Sequence, residues 1–438
     1  MSSSKISHSA DEACRHSQVY LDVSPHARVA KFKRPSEKQR VAAASGNDQG
    51  KEWGLLTSRE RFGDAMTFPG PLILPEDDLA EDPEFPPQDF AEWRDEEERN
   101  PVTSARKTIY VVPSPKIEAE VSKMKLWGPG ASKKNHEVVE PPNLEDVVHY
   151  LAAFFHGIKV KVLDKTFSWQ VWDEPTGTTK RRATTPAKPY DATPLKDPDE
   201  ERLIGLKTPK QQLFGIRCRP SPDGVSAMQV NLDDVLDALM GSIPRDAHSV
   251  VILLDQDMYE GDGDIFTAGR AYGGSRIAAV SHFRDHPLHA PPGGGGHAWP
   301  LSHCAAYVDF LCAKSLPKGV KRSKALPTAR GVGPLHAAVE AAATTVGPRS
   351  SSSSSVIVPP GSLNAQWLGR TVQTMAHELC HCLGMDHCVY FACVMQGSGN
   401  SEEAVRQPPY LCPVCLEKLA AGIGGGSSEV GTPPRPRA

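Results

Sequence analysis

The sequence predicts an α+β fold: a mixed β-sheet flanked by helices, one long helix near the C-terminus carrying a histidine pair, and polar segments outside the core. Three observations predict it. Short β-branched runs exchange with helical apolar spacing between Lys107 and Leu163. A continuous apolar run fills residues 248–254, as a strand buried on both faces requires. Leu368, Val372, Met375, Ala376 and Leu379 then line one face of a helix over 364–382.

In chain order, Lys107–Pro113 is a strand ended by proline, and Leu144–Phe155 is a helix with apolar residues at 144, 147, 148, 151 and 155. Gly157 closes that helix, and Ile158–Leu163 alternates as a second strand, which completes a β-α-β unit. Leu232–Leu239 suits a helix before the 248–254 strand, and Arg276–His282 forms a further strand after the turn at Gly273 and Gly274.

The rest reads as additions. Proline and glycine number 39 and 36 of 438 residues and cluster with serine and charge outside the apolar stretches. Residues 1–105 are expected to be largely disordered, although the acidic run Glu76–Glu98, with Phe85, Phe90 and Trp93, could fold on a partner. One folded domain is expected over 106–420, interrupted by insertions at about 164–210 and 287–355 and followed by a disordered tail at 421–438.

A net charge of −4 is too small to imply an obligatory nucleic-acid or membrane partner. The basic stretch Lys314–Arg330 has no interleaved aromatics, which favours a solvated loop over a nucleic-acid surface. The opening MSSSKISHSADEACRH has no apolar core like that of a signal peptide, and no later run approaches a membrane span. An intracellular protein of the cytoplasm or nucleus is expected, of unassigned oligomeric state.

Six of the ten cysteines fall between Cys380 and Cys415 among several histidines. On a helix, His377 and His381 share a face one turn apart, so both imidazoles can address one metal ion. Glu378, beside the first, reaches a metal-bound water rather than the metal. Gly384 can adopt positive φ, stop the helix and return the chain so that His387 becomes a third ligand. The whole string is HELCHCLGMDH. Three neutral histidines leave a fourth position for water, which zinc acidifies, with Glu378 as general base: a layout suited to hydrolysing peptide bonds.

Cys388, Cys393, Cys412 and Cys415, the last two as Cys-Pro-Val-Cys, have the spacing of four thiolates around a structural zinc. Free buried thiols, or a redox pair at 412 and 415, are the competing readings. Cys380 and Cys382 read as buried helix thiols, and Met395 as a core methionine.

The run from His377 to Cys415 resembles the archaemetzincin family, whose pattern is HExxHxxGxxHC, four residues, CxM, about seventeen residues, then CxxC. Here sixteen residues separate Met395 from Cys412. The resemblance implies a metzincin-like zinc peptidase domain with two zinc ions per chain. His377, His381 and His387 would hold the catalytic ion, Cys388, Cys393, Cys412 and Cys415 the structural one, and Met395 would be the Met-turn. It also implies a peptide or unfolded polypeptide substrate, extended along an edge strand. Arg276–His282 is the candidate for that strand, with an interior strand as the alternative. Tyr390 and Tyr410 are available to assist at the carbonyl. Two other classes stay in view: a zinc-stabilised binding protein whose histidine site is occluded, and a DNA-associated metalloprotease using the basic stretch.

Overall fold

The computed structural model describes residues 18–45, 67–97, 99–129, 139–172, 192–196, 201–289, 297–315, 328–329, 333–346 and 362–424. The chain divides into two compact units. One comprises residues 1–99, 290–359 and 385–438, the other 100–289 and 360–384.

The 100–289/360–384 unit is organised by two sheets. Its strands are β1 (Thr108–Val112), β2 (Lys116–Ile117), β3 (Lys159–Val162), β4 (Ser168–Gln170), β5 (Arg202–Lys207) and β6 (Leu213–Arg219), then β7 (Gln229–Asn231), β8 (Ala247–Leu254), β9 (Asp257–Tyr259), β10 (Gly269–Tyr272) and β11 (Ile277–Ser281). Its main helices are α1 (Leu144–Phe154), α2 (Leu232–Met240) and α3 (Ser362–His381).

The five-stranded sheet has the order β10-β11-β8-β1-β3. All of its neighbours pair in parallel except β10 with β11, so the sheet is mixed, as expected. Every residue of β8 is buried, which is why its run is continuously apolar instead of alternating. Asn143 caps α1 by accepting from Glu145 N–H, and Gly157 takes φ 111°, the turn the sequence requires there. The six-stranded sheet has the order β9-β7-β6-β5-β4-β2, and an apolar cluster that includes Trp169, Ile204, Leu236 and Ile252 fills this unit.

β4 and β5 lie inside the first proposed insertion, so those two segments belong to the sheet. Among the described residues of that stretch Phe167, Trp169, Ala192, Ile204 and Leu206 are the buried apolar ones, too scattered a signal amid lysine, proline and threonine. The strand expected to be a candidate edge is interior: β11 lies between β10 and β8, and β10 is the edge.

The other unit departs further from expectation. Among the described residues its strand pairing is a single two-stranded ladder, Val19–Tyr20 with Thr328–Ala329. The supposedly disordered N-terminal region contains helices Glu37–Ser45 and Phe90–Asp95, and buries Val19, Tyr20, Leu72, Ile73, Leu74 and Trp93. Asp89 and Glu92 form a reciprocal capping box at the second of these helices. This region has no periodic signal because its partners are distant in sequence: Ala392 N–H donates to Pro69 O, and Arg34 Nε to Tyr390 O. Within the second proposed insertion, helices Ala305–Ser315 and Pro334–Val346 are ordered elements of this unit. Most of the basic stretch, the Gly293–Gly296 run and the serine run lie outside the described residues. The last helix, Pro413–Ile423, runs three residues into the expected tail. No helix among the described residues is long and apolar enough to cross a membrane.

Candidate metal centres

α3 packs against β10, β11 and α1, burying Val372, Met375, Ala376 and Leu379 on the stripe read from the sequence. That packing fixes the rotation of the helix. It turns His377 and His381 together, with their Nε2 atoms 3.0 Å apart and both rings half-buried. Two imidazoles whose Nε2 atoms converge in this way fit a shared metal ion.

Glu378 lies against the edge strand. A Cβ built on Gly269 would stand 3.0 Å from Glu378 Oε1, so glycine is what allows β10 to approach the carboxyl so closely. Glu378 is buried, which pushes its carboxyl up to about 8; Arg270 opposes the rise and Glu260 adds to it. Arg270 and Glu260 are themselves paired at 3.2 Å. Cys380 and Cys382 are fully buried thiols raised by desolvation, as expected of packed helix residues.

α3 stops at His381, Gly384 N–H donates to His381 O, and Gly384 takes φ 76°, the left-handed turn for which glycine was singled out. The chain then enters the other unit. There His387 is half-buried, its ring 5.6 Å from that of Phe85.

The four cysteines gather wholly within this unit. The Sγ atoms of Cys388, Cys393, Cys412 and Cys415 lie within 4.8 Å of one another, all buried, and all four are free of disulfides. Cys388 and Cys412 are 3.6 Å apart. Cys393 Sγ accepts from the N–H groups of Met395 at 3.4 Å and Cys412 at 3.2 Å. Hydrogen bonds from its three neighbours hold Cys388 well below the ordinary thiol range. Burial pushes Cys393 up, and the shared hydrogen bonds push Cys415 up. Four buried thiols that converge in this way are able to hold a metal ion. Met395 is fully buried, and its carbonyl accepts from Cys388 N–H at 2.6 Å.

Converging histidines and a cluster of four buried thiols on an α+β scaffold are groups able to hold metal ions, as a zinc metallopeptidase requires. Residues 363–421 match the profile of peptidase family M54. Archaemetzincin-2 of Pongo abelii is 24% identical over 372 residues, spanning 84% of this chain and 74% of that protein. Archaemetzincin-1 of Mus musculus is 28% identical over 235 residues, 52% of this chain and 39% of that protein. Among solved structures, archaemetzincin from Methanopyrus kandleri aligns with 73% of this chain and 97% of its own at 15% identity and a TM-score of 0.33. This chain is thus similar to the archaemetzincins, with the family M54 match confined to residues 363–421.

Tyr390 and Tyr410, singled out as available hydroxyls, are both raised by burial and have the thiol cluster among their electrostatic neighbours. Sequence reading missed Gly269 and β10 beside Glu378. A lone glycine opening a four-residue strand carries no signal of its own.

Proposed function

We propose that this chain hydrolyses peptide bonds with zinc held by His377, His381 and His387 and with Glu378 as the general base, while a second, structural zinc sits on Cys388, Cys393, Cys412 and Cys415. The observation that carries the reading is the convergence of the His377 and His381 Nε2 atoms on the helix that also presents Glu378 to the sheet edge. The turn at Gly384 and the six-residue spacing from His381 supply the third histidine, and both residue groups are of a kind able to hold a metal ion.

When bound, zinc supplies Lewis acidity for the scissile carbonyl and acidifies water beside Glu378. The Glu378 carboxylate takes the proton from that water and returns it to the leaving amine. Burial of Glu378 keeps its basicity high enough for this, and Arg270 holds the carboxylate from rising further. The edge of β10, with no side chain at Gly269, offers an extended peptide backbone groups to pair with close to Glu378.

Metal content and peptide-library cleavage of the wild type and Glu378→Gln test this reading. Two zinc ions in both proteins are expected, with cleavage reduced about 10²–10⁴-fold in the variant. A fully active variant would overturn Glu378 as base. Two zinc ions without cleavage by either protein would point to a zinc-stabilised binding protein instead.

A further inference from the structure

We infer that Asp78 is a positioning residue for His387: its carboxylate accepts the Nδ1–H of that imidazole and leaves Nε2 to the metal. The inference rests on the histidine site proposed above and concerns how the third ligand is aimed.

Asp78 and His387 meet over one glycine. A Cβ built on Gly397 would collide with Asp78 Oδ2 and stand 2.9 Å from His387 Nδ1, so the carboxylate and that nitrogen both press on the same face of the backbone. A side chain at 397 would push the two apart. His377 and His381 turn their Nε2 atoms towards each other, and the matching tautomer at His387 puts its proton on Nδ1, where the carboxylate waits. A ligating imidazole commonly gives its second N–H to a carboxylate, which fixes the ring and strengthens the ligand.

The backbone that carries this carboxylate is itself held in place. Asp78 N–H donates to Glu403 Oε2 at 2.9 Å, and the same oxygen accepts from Gly399 N–H at 2.7 Å. Asn400 Nδ2 donates to Glu76 O at 2.9 Å. On the other side of His387, Asp386 N–H donates to Gln88 Oε1 at 3.0 Å, and Gln88 is gripped by the buried Lys418, whose Nζ lies 2.6 Å from its carbonyl and 2.8 Å from its side-chain oxygen. Phe85 adds a ring contact. Residues 76–88 thus brace the segment around His387, and Asp78 brings its carboxylate to the glycine that the imidazole also faces.

The full chain tests this through zinc binding, read by elemental analysis and by competition with a chromophoric chelator. The wild type is expected to hold two ions, and His387→Ala to lose tight binding of one. Asp78→Ala is expected to weaken that same ion by about 10–100-fold and leave the other unchanged. Asp78→Asn, whose amide oxygen still accepts, should recover part of the loss. Gly397→Ala should reproduce the weakening through displacement of the carboxylate, and carries the test if Asp78→Ala fails to fold. Wild-type affinity for both ions in Asp78→Ala, even with a lowered melting temperature, would reduce Asp78 to a structural residue and overturn the inference alone. Unchanged binding in His387→Ala would remove the histidine site and this inference with it.

Discussion

The two units of this chain are held together by different means. The unit of residues 100–289 and 360–384 relies on backbone ladders: among its described residues, eleven strands in two sheets, with an apolar cluster and α3 laid on the sheet. The unit containing the cysteines has one two-residue ladder among its described residues, and joins its distant segments through side chains. Asp77 pairs with Arg406, Lys418 grips Gln88, and four thiols converge. Ladder hydrogen bonds are many and each contributes modestly, so a sheet tolerates single losses. A few buried charges and ligands concentrate the same task in single residues, and removing one leaves its partners stranded.

The largest expected effect is therefore that of Cys412→Ser. Structural zinc contributes about 10–16 kcal/mol in isolated zinc-finger peptides, so loss of one thiolate should cost one ion and open this unit. Amide exchange should show Pro413–Ile423 unprotected while β8 stays protected. Equal zinc content and protection in the variant would place the cysteines outside any metal site.

Next is Arg406→Ala. Burial pushes the Asp77 carboxyl up to about 6 against the pull of Arg406, so removing the guanidinium strands a charge and should cost about 3–5 kcal/mol in denaturant unfolding. The paired replacement Asp77→Leu/Arg406→Met should restore most of it, and no recovery would show that the pair acts through more than its mutual charge.

The smallest effect is a pH dependence at His303. This ring is fully buried and its pKa is lowered by desolvation to about 4, against 6.5 when exposed. Between those values the unfolded chain binds a proton that the folded chain does not, so stability falls as pH drops from 6.5 to 4, by up to about 3 kcal/mol. Unfolding of His303→Asn across that window should show a flatter acid limb, and an unchanged limb would assign the dependence to other buried histidines.

What was legible in the sequence follows the same division. α3, β8 and the β-α-β start announce themselves because their burial partners impose a period on local sequence, and the histidine set proposed as ligands stands out because helix geometry and a glycine turn dictate its spacing. The 67–97 segment was illegible for the opposite reason. Leu72, Ile73 and Leu74 sit between prolines and pack on residues hundreds of positions away, so no period forms. Asp77 and Asp78 lie in an acidic run that reads as solvated surface, and nothing nearby reveals Arg406 or His387 as their neighbours. The interior position of β11 was equally hidden, since the short strand that covers it, Gly269–Tyr272, has no apolar pattern.

The distance along the chain between Trp93 and the cysteines has a consequence for biosynthesis. The N-terminal part of this unit leaves the ribosome first, yet the thiols and Arg406 that complete it come roughly 300 residues later, about 15–60 s at ordinary elongation rates of about 5–20 residues per second. Until Ala305, Val308 and Cys312 emerge, Leu72 and Leu74 have only Tyr20 of their apolar cluster beside them, and the nascent chain exposes that surface to holding chaperones.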